Sequence, residues 1–460
     1  MRINYDTPEA YELLHKGTLA LSRAEQAGIR IDLEYVERKK KQLTRKIGII
    51  ENRFRESTFF KHWEHTVKGK VNINSNAQLS NFLYKTKKIE PVKFTITGKG
   101  ATDEEALLQL NIPELNDILE ARKLKKVRDT YLDAFAREQV DGYIHPFFNL
   151  HLVKTYRSSS DSPNFQNLPK KDFESMQIVR QALFARPGHQ LVEADFSGIE
   201  VRVAAAYHKD KTMLKYIKDP TSDMHGDLAK QIFIVDAFDK KLPEHYVLRQ
   251  AAKNSFIFPE FYGDYYKNCA YGLACNWGKL PQTTWTKSLG VKMPEGNLSD
   301  HLIRKGIKSY DTFVEHVRQI EKDFWENRFP EYAAWKERWW ADYKKNGYVD
   351  FLTGFRASGI MGKNDVINYP VQGAAFHCLL WSFIQLDKIM REEQWDTRLI
   401  GQIHDSIVLD VNPDELPHVE KTLHRILSKE LPESFRWINT PMEIEIDKYP
   451  IDGSWAEKLK

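Results

Sequence analysis

Apolar residues recur at helical spacing along the first part of the chain. Between positions 8 and 55 they follow the 3.6-residue period of a helix, with a short break at 28–32. Residues 68–102 are rich in Lys, Gly, Asn, Thr and Ser and have little helical period, so we predict a loop-rich tip there. Helices are predicted again at about 103–136, starting at the cap-like sequence Thr102-Asp-Glu-Glu.

Strand-like patterns return later in the chain and flank a second helical stretch. Strands are predicted on both sides of residues 141–145 and from 347 onward, whereas helices with many aromatic residues dominate 206–345. Further helices are predicted at 371–390 and 414–430. A mixed sheet built from distant stretches, with a helical arm before it and a helical insertion within it, indicates an α+β core with two helical lobes.

Two of the predicted strands end in an aspartate. One strand ends at Asp195 and runs into a predicted helix at 199–207. Two further strands are predicted to be joined by a tight turn with His404 and Asp405 at its tip. Carboxylates fixed at rigid strand ends can converge on a pair of divalent cations, which is the arrangement that phosphoryl transfer needs. Many strands end in Asp, so the pair alone decides little.

A cationic helix followed by aromatic residues lies between these two aspartates. Arg249 and Lys253 are four residues apart and share a helix face, and Phe256, Phe258 and Tyr262 follow. Two cations one turn apart can hold a triphosphate while an aromatic ring stacks on the attached base. The alternative is a surface cationic pair beside a core aromatic cluster, and in isolation the segment favours that alternative.

Composition narrows the class of protein. At 460 residues, with 42% hydrophobic and 29% charged residues, the chain is expected to be a soluble globular protein of two or three domains. No run approaches the roughly 18 apolar residues of a membrane span, and the first residues lack a signal-peptide core. The three cysteines have no CxxC spacing, which argues against a disulfide framework or a zinc site and favours a reducing, cytoplasmic compartment.

Positive charge is concentrated in the first third of the chain. The net charge is only +4, but residues 37–46 and 122–128 are strongly basic. A solvated helix face is the default interpretation of such runs. Contact with a phosphate backbone becomes the better interpretation if neighbouring segments handle nucleic acid.

Taken in order, these segments resemble the polymerase region of family A DNA polymerases, the bacterial DNA polymerase I group, in a bacteriophage version. Three motifs fall in the family's order: motif A around Asp195, motif B from Arg249 to Gly263, and motif C around Asp405. Five further segments are similar to the thumb entry, the thumb tip, the segment leading into the palm, and two later stretches of the family: residues 20–32, 71–79, 155–169, 347–356 and 368–373.

The resemblance implies a right-hand α+β fold with a helical thumb, an antiparallel-sheet palm and helical fingers. The implied divisions are an N-terminal segment with the thumb at 1–140, the palm at 141–206 and 346–460, and the fingers at 207–345. It also implies a template-directed DNA polymerase that adds dNMPs to a primer 3′-hydroxyl in DNA replication or repair. Primer–template DNA and dNTPs are the implied partners, and a monomer acting in the cytoplasm, or in the host cytoplasm if viral, is expected.

The resemblance also assigns the metal and triphosphate contacts. Asp195, Asp405 and the backbone carbonyl of Phe196 would hold two Mg²⁺ ions, for which Mn²⁺ is expected to substitute. Arg249 and Lys253 would neutralise the triphosphate, with Lys253 donating a proton to the departing pyrophosphate. Two further residues complete the expected nucleotide site: His225, which reaches the phosphates, and Glu200, which packs under the sugar and excludes a 2′-hydroxyl.

Motif B is one residue longer than the family pattern between Lys253 and Tyr262. Counting back from Tyr262 makes Phe258 the nucleotide-stacking ring, whereas counting forward from Lys253 reaches Ile257; we prefer Phe258, with Phe256 as the alternative. A π-bulge would absorb the extra residue, and Pro259 should kink the helix. By the family pattern, a Phe at this position discriminates against dideoxynucleotides. Tyr262 would stack near the template base until the fingers close.

A set of polar side chains is expected to contact DNA. Asn368 and Gln372, one helical turn apart, would join Arg157 in donating to minor-groove acceptors, which are present whichever base pair is there. His404 would support the primer terminus. The complete expected DNA-binding set is Arg157, Asn164, Gln166, Asn368, Gln372 and His404.

The sequence departs from the family pattern at several points. Ser406 replaces the Glu that usually follows the motif C aspartate, so we expect weaker or altered metal dependence. Gly198 stands where a Gln is common, which would loosen minor-groove contacts. Only about fifteen residues precede the thumb entry, so we expect neither a 3′→5′ exonuclease nor a 5′ nuclease. A separate exonuclease chain or replisome proteins are therefore conceivable partners.

Two other functions compete with this one. Single-subunit phage RNA polymerases share the palm and a similar motif B, but they lack the carboxylate assigned here to Glu200 and use a different motif A. A non-catalytic nucleic-acid-binding subunit could keep the fold. The intact set of Asp195, Asp405, Arg249 and Lys253 argues against that second alternative.

Overall fold

A four-stranded antiparallel sheet forms the centre of the molecule. The computed structural model describes residues 7–459 apart from 68, 96, 171, 279, 281–284, 286 and 287. The central strands are β1 (Gln190–Phe196), β2 (Arg398–Ile403), β3 (Ser406–Val411) and β4 (Ile444–Lys448), arranged in the order β2-β3-β1-β4. Every pairing is antiparallel. The expected mixed sheet is therefore wrong, and the antiparallel palm implied by the resemblance is confirmed.

The central strands are apolar because helices cover the sheet. All six residues of β3 are buried, as are six of the seven in β1. Strands covered on both faces lose the alternation of polar and apolar residues that a half-exposed strand shows. The helix Lys363–Glu392 contacts β3, and the helix Pro8–Ala27 contacts β2. The core of the molecule therefore lies between the sheet and these helices.

The helical arm follows the predicted pattern up to its tip. Its first two long helices are separated by the short strand Ile29–Ile31, where the break at 28–32 was expected. Gly28 adopts φ +65°, a left-handed conformation that glycine accepts without strain. The arm comprises helices Pro8–Ala27, Leu33–Glu56, Thr58–Thr66, Asn76–Ser80, Glu104–Gln109, Pro113–Lys125 and Asp133–Glu138, with π-helical turns Asn81–Thr86 and Lys126–Leu132.

The tip of the arm is more ordered than the loop-rich segment predicted at 68–102. Residues 76–86 are helical because the Ser75 side chain accepts a hydrogen bond from Gln78 N at 3.2 Å and caps the helix. Leu79 and Phe82 are then buried in a separate apolar core with Trp63. The next helix is capped by Asp103 rather than by Thr102. The short helical spacing of Leu79 and Phe82 was missed in the sequence because polar residues surround it.

The insertion between β1 and the later strands is helical, as predicted. Several of its aromatic residues pack together, with the Phe324 ring 4.8 Å from that of Phe329 and 5.4 Å from that of Phe256. It contains helices Lys211–Lys218, Met224–Phe233, Pro243–Ala252, Phe258–Phe261, Tyr266–Tyr271, Leu298–Arg304, Tyr310–Asp323 and Pro330–Asn346, π-helical turns Lys253–Ile257, Gly272–Trp277 and Phe324–Arg328, and strands Lys292–Met293 and Gly296–Asn297.

The two ends of this insertion are tied together where they meet the core. The backbone N–H of Leu352 donates to the Tyr207 hydroxyl at 3.0 Å, and that hydroxyl lies 3.4 Å from the Pro370 carbonyl.

None of the described helices has the length and apolar character that crossing a membrane requires.

The remaining elements surround the sheet. They are the helices Phe173–Arg180, Ile199–His208, Lys363–Glu392, Leu416–His424 and Leu431–Ser434, the π-helical turn Arg425–Glu430, the 3₁₀ turns Phe165–Asn167 and Pro413–Glu415, and the strands Ile29–Ile31, Tyr143–Ile144, Phe147–Asn149, Ser159–Asp161, Leu183–Phe184, Tyr348–Asp350 and Arg356–Ser358. The predicted helices at 199–207, 371–390 and 414–430 are thus confirmed with shifted ends.

We predict that Gly373→Ala lowers the free energy of unfolding by about 1–3 kcal/mol, because a methyl group there would overlap the Phe351 ring and the Thr155 carbonyl oxygen. Gly48→Ala is the matched control. It lies within the helix Leu33–Glu56 with open space beside it, so it should raise stability by about 0.5–1 kcal/mol. Urea unfolding measures both changes. A neutral effect of Gly373→Ala would contradict the close approach.

Candidate active site

Asp195 and Asp405 lie side by side although they are far apart in the sequence. Asp195 is opposite Ser406 in the register between β1 and β3. The N–H of Phe196 donates to the carbonyl of Asp405 at 3.2 Å. His404, at the tip of the turn, adopts φ +53°, the left-handed conformation that the tight turn requires. The predicted pair of strand-end carboxylates therefore forms.

One carboxylate oxygen of Asp195 is left without a hydrogen bond from the described residues. Its Oδ1 atom is buried and has no hydrogen-bond partner in the described part of the chain. Burial raises the pKa of Asp195 to about 7, and the nearby Asp405 carboxylate adds to this rise, whereas Lys170 opposes it. A buried carboxylate oxygen without a donor is costly unless a cation binds it. The site therefore fits a divalent cation.

Such a cation would need further ligands in addition to the protein side chains. Among the residues that the structure describes, no three His, Cys, Asp or Glu side chains converge as a metal-binding group. Asp195, Asp405 and a backbone carbonyl such as that of Phe196 form an open set of oxygen donors. Water or substrate oxygens would complete the shell, as is usual for Mg²⁺.

Motif B contains the predicted π-bulge. The helix Pro243–Ala252 passes into a π-helical turn at Lys253–Ile257, and the N–H of Phe258 donates to the carbonyl of Lys253, five residues back. The extra residue between Lys253 and Tyr262 is absorbed there. Pro259 stands at the start of the next helical segment, Phe258–Phe261, where its missing N–H is tolerated.

The bulge decides which aromatic side chain faces the site. Phe256 and Ile257 are completely buried, and Phe256 packs edge-on against Phe324. Phe258 is partly exposed, with the Lys253 ammonium 5.4 Å from its ring centroid and the His225 ring at 6.2 Å. Of the three candidates, Phe258 is the one that lines the open cavity.

The cationic residues form a group with an acidic partner that the sequence did not reveal. Arg249 Nε donates to both carboxylate oxygens of Asp223, at 3.0 and 2.8 Å. Burial opposes ionisation of Asp223, but Arg249 holds its pKa below the ordinary value. Burial, together with the positive charges of Arg249 and Lys253, lowers the pKa of His225 to about 4. His225 is therefore neutral at physiological pH and offers one N–H donor.

A cavity of about 570 Å³ opens between the end of motif B, at Phe258 and Tyr262, and the turn of His404 and Asp405; Asp195, His225, Arg249 and Lys253 do not line it. It brings together eight of the predicted site residues. They are Arg157, Glu200, Phe258, Tyr262, Asn368, Gln372, His404 and Asp405. An adjoining cavity of about 620 Å³ is lined by Gln166 as well as by Arg157, Gln372 and His404.

Tyr262 and the following Gly263 are held beside the 570 Å³ cavity by three hydrogen bonds. Its hydroxyl donates to Glu200, and Asn368 Nδ2 donates to its carbonyl at 3.0 Å. Asn364, which the sequence analysis did not select, donates to the carbonyl of the following Gly263 at 3.2 Å. Glu200 also accepts from Arg157 Nη1 at 3.1 Å. Tyr262 therefore joins the helical insertion to the core.

Two expected DNA-binding residues have local roles in this conformation. Asn164 caps the 3₁₀ turn by accepting from Asn167 N at 3.1 Å. Gln166 Nε2 donates to the Ser158 hydroxyl and to Gln402 Oε1, both at 2.7 Å. Their contacts with DNA stay a prediction, and the amide of Gln166 would have to give up an internal hydrogen bond to make one.

A family model described as DNA polymerase family A matches residues 34–450 of the chain. The chain belongs to this family. It is 28% identical to DNA polymerase I of Chloroflexus aurantiacus over 98% of the chain, and 28% identical to the thermostable DNA polymerase I of Thermus filiformis over 95%. These matches cover 44% and 47% of the relatives, so this family A chain spans less than half of their length.

A solved structure shares the fold of this family A chain. The polymerase domain of Pol1 from M. smegmatis, in complex with a DNA primer–template and dNTP, superposes with a TM-score of 0.74. The match covers 96% of this chain and 70% of that one, at 22% identity. It confirms the right-hand α+β fold, with the central sheet as the palm, the insertion as the fingers and the arm as the thumb.

We predict that Asp195→Asn stabilises the metal-free protein in a pH-dependent way. Because folding raises the pKa of this carboxyl from 3.8 to about 7, its ionisation opposes folding increasingly as pH rises from about 4 to 7, and fully above that. Removing the charge should add about 1–2 kcal/mol at pH 8 and much less at pH 4.5. Thermal unfolding with EDTA measures this.

The exposed Asp414 supplies the control for this measurement, since Asp414→Asn should change stability equally little at both pH values. A stabilisation by Asp195→Asn that does not depend on pH would contradict the raised pKa.

Proposed function

We propose that this chain is a template-directed DNA polymerase that adds dNMPs to a primer 3′-hydroxyl. The observation that carries the proposal is the pairing of β1 with β3, which holds Asp195, with its unpartnered buried oxygen, beside Asp405. Asp405 also lines the cavity that contains Phe258 and Tyr262. The relatives are DNA polymerases I, and the similar solved domain was bound to a primer–template and dNTP. Primer–template DNA and dNTPs are therefore the proposed partners.

Asp195, Asp405 and the Phe196 carbonyl would hold two Mg²⁺ ions, or Mn²⁺ in their place. Bound there, the ions would acidify the primer hydroxyl and offset negative charge on the triphosphate. Arg249 and Lys253 would bind the triphosphate from the opposite side, with neutral His225 donating its single N–H. Lys253 would then protonate the departing pyrophosphate.

The side chains around the cavity would select the correct nucleotide. Phe258 would stack on the incoming base and, by the family pattern, discriminate against dideoxynucleotides. Glu200 would lie under the sugar, its position fixed by hydrogen bonds from Arg157 and Tyr262. Tyr262 would stack near the template base until the fingers close, and closure would break its hydrogen bond to Glu200.

Duplex DNA would lie along the palm and the thumb. Arg157, Asn368 and Gln372 would donate to the minor groove. Asn164 and Gln166 would also contact the DNA. His404 would support the primer terminus. The proposed divisions remain 1–140, 141–206, 207–345 and 346–460.

We also propose a monomer of bacteriophage type that acts in a reducing cytoplasm. The three cysteines, all within the described chain, are buried and form no disulfide. A separate exonuclease or replisome proteins are proposed further partners.

Primer extension on a defined DNA template tests the proposal. Asp195→Ala and Asp405→Ala should each lower the extension rate by about a thousandfold or more, because each removes a charge that the transition state needs. Affinity for the primer–template, measured by fluorescence anisotropy, should change less than about threefold. Asp414→Ala, at an exposed aspartate, is the matched control and should leave the rate unchanged.

The same reaction separates the alternatives. A wild-type chain that prefers rNTPs would indicate an RNA polymerase, and one that binds DNA without extending it would indicate a non-catalytic subunit. The expected lack of a 3′→5′ exonuclease also stays a prediction. Mg²⁺-dependent trimming of a mismatched primer end by the purified chain would contradict it.

We predict that Glu200→Ala raises rNTP incorporation relative to dNTP incorporation by about 10–100-fold, because it removes the side chain that would contact a 2′-hydroxyl. Glu200→Gln is the control, since it keeps the size of the side chain and should keep most of the discrimination. Single-nucleotide incorporation with each substrate gives the ratio. Equal ratios for Glu200→Ala and the wild type would remove Glu200 from the sugar site.

A further inference from the structure

The residue after Asp405 makes a buried contact to the facing strand. Ser406 is completely buried, and its hydroxyl lies 2.8 Å from Glu193 Oε1 and 3.0 Å from the Ile403 carbonyl, so both acceptors are within reach of its one proton. The resemblance leads one to expect a glutamate at position 406. The carboxylate beside position 406 is instead that of Glu193, which lies on β1.

Glu193 is held in place by three groups. It is only 6% exposed, and it stands two residues before Asp195, so both side chains leave the same face of β1. Its Oε2 atom accepts from Trp455 Nε1 at 3.3 Å and lies 3.6 Å from Arg180 Nη1. The Arg180 guanidinium in turn packs 4.7 Å from the Trp455 ring centroid. A buried carboxylate with this many partners has a fixed orientation.

The other side of the turn is anchored as well. Gln402, which is 2% exposed, donates through Nε2 to the carbonyl of His404 at 2.5 Å. Its Oε1 accepts from Ser158 and Gln166, both at 2.7 Å. Asp405 thus lies between two anchors, Gln402 before it and the Ser406–Glu193 contact after it. Of the two, only the second depends on a charged group.

We propose that Glu193 is a positioning residue for Asp405: acting through Ser406, it fixes the turn of motif C, and it supplies from β1 the carboxylate that the resemblance places at position 406. The proposal rests on the proposed polymerase function. It has a strict consequence, because the Ser406 side chain already faces the buried Glu193 carboxylate. A glutamate at 406 facing Glu193 would bring two buried negative charges together, which is strongly unfavourable.

The first experiment removes the Ser406 hydroxyl, and with it the contacts to Glu193 and to the Ile403 carbonyl. Ser406→Ala should weaken Mn²⁺ binding by about tenfold, measured by electron paramagnetic resonance without DNA or nucleotide, because loss of a group that orients a metal ligand typically has this effect. The Mg²⁺ concentration for half-maximal extension should rise similarly, and kcat should fall while KM for dNTP stays unchanged.

Ser382→Ala is the matched control. Ser382 is also completely buried, and its hydroxyl donates to the Cys378 carbonyl at 3.0 Å within the helix Lys363–Glu392. This variant removes the same atom from an equally dry environment, so it should leave Mn²⁺ affinity, Mg²⁺ dependence and kcat unchanged. Equal effects of the two alanine variants on Mn²⁺ affinity would overturn the positioning role.

The second experiment exchanges the two side chains. Glu193→Ser alone and Ser406→Glu alone should each weaken Mn²⁺ binding by about tenfold or more. The double variant restores one carboxylate within reach of Arg180 and Trp455, so it should recover affinity to within about threefold of the wild type. Recovered Mn²⁺ affinity in the double variant would show that positions 193 and 406 are coupled, because the effects of independent substitutions would add. A double variant no better than the worse single variant would overturn the exchange.

These readouts keep the inference separate from the proposed function. Wild-type extension tests the polymerase, whereas Mn²⁺ affinity tests the positioning of Asp405 and needs no extension. If Ser406→Glu fails to fold by circular dichroism, Mn²⁺ affinity still decides the positioning role: both Ser406→Ala and Glu193→Ser should weaken binding relative to Ser382→Ala, and an unchanged affinity in Glu193→Ser would overturn it.

Discussion

The antiparallel pairing of β1 with β3 is the constraint on which the rest of the structure depends. Six residue pairs, from Gln190 with Val411 to Asp195 with Ser406, join segments that are separated by the whole helical insertion. Closing so long a loop costs conformational entropy, which the burial of nearly every residue of both strands offsets. Because side chains alternate along strands, a shift of one residue would turn Asp195 away from Asp405. The register is therefore as important to the site as the carboxylates themselves.

Most polar groups of the site are already satisfied inside the protein. Arg249 is paired with Asp223, Glu200 accepts from Arg157 and Tyr262, and Asn368 donates to a backbone carbonyl. These contacts orient the side chains before any ligand arrives. Substrate binding must then exchange one set of hydrogen bonds for another, so only the difference between the two sets contributes to affinity. The buried Oδ1 of Asp195 is an exception, since it has no described partner to give up.

Local patterns predicted the elements that carry the site but not the contacts between them. The strand ends at Asp195 and Asp405 followed from apolar runs. The π-bulge followed from the resemblance, because Lys253 and Tyr262 are one residue further apart than in the family pattern. The same count gave the preference for Phe258 over Phe256, and of these two side chains it is Phe258 that lines the cavity. Asp223 and Glu193 could not be selected, since an acidic residue in a helix cap or a strand carries no mark of its distant partner. The helices at 76–86 were missed because asparagine and serine disguise a short buried period.

The hydrogen bond between Leu352 and Tyr207 fastens the exit and the return of the fingers to the same spot on the palm. The points at which the insertion leaves and rejoins the core are therefore in direct contact. Replacing the residues between them with another helical segment would not require the two attachment points to move, so the four strands could keep their pairing.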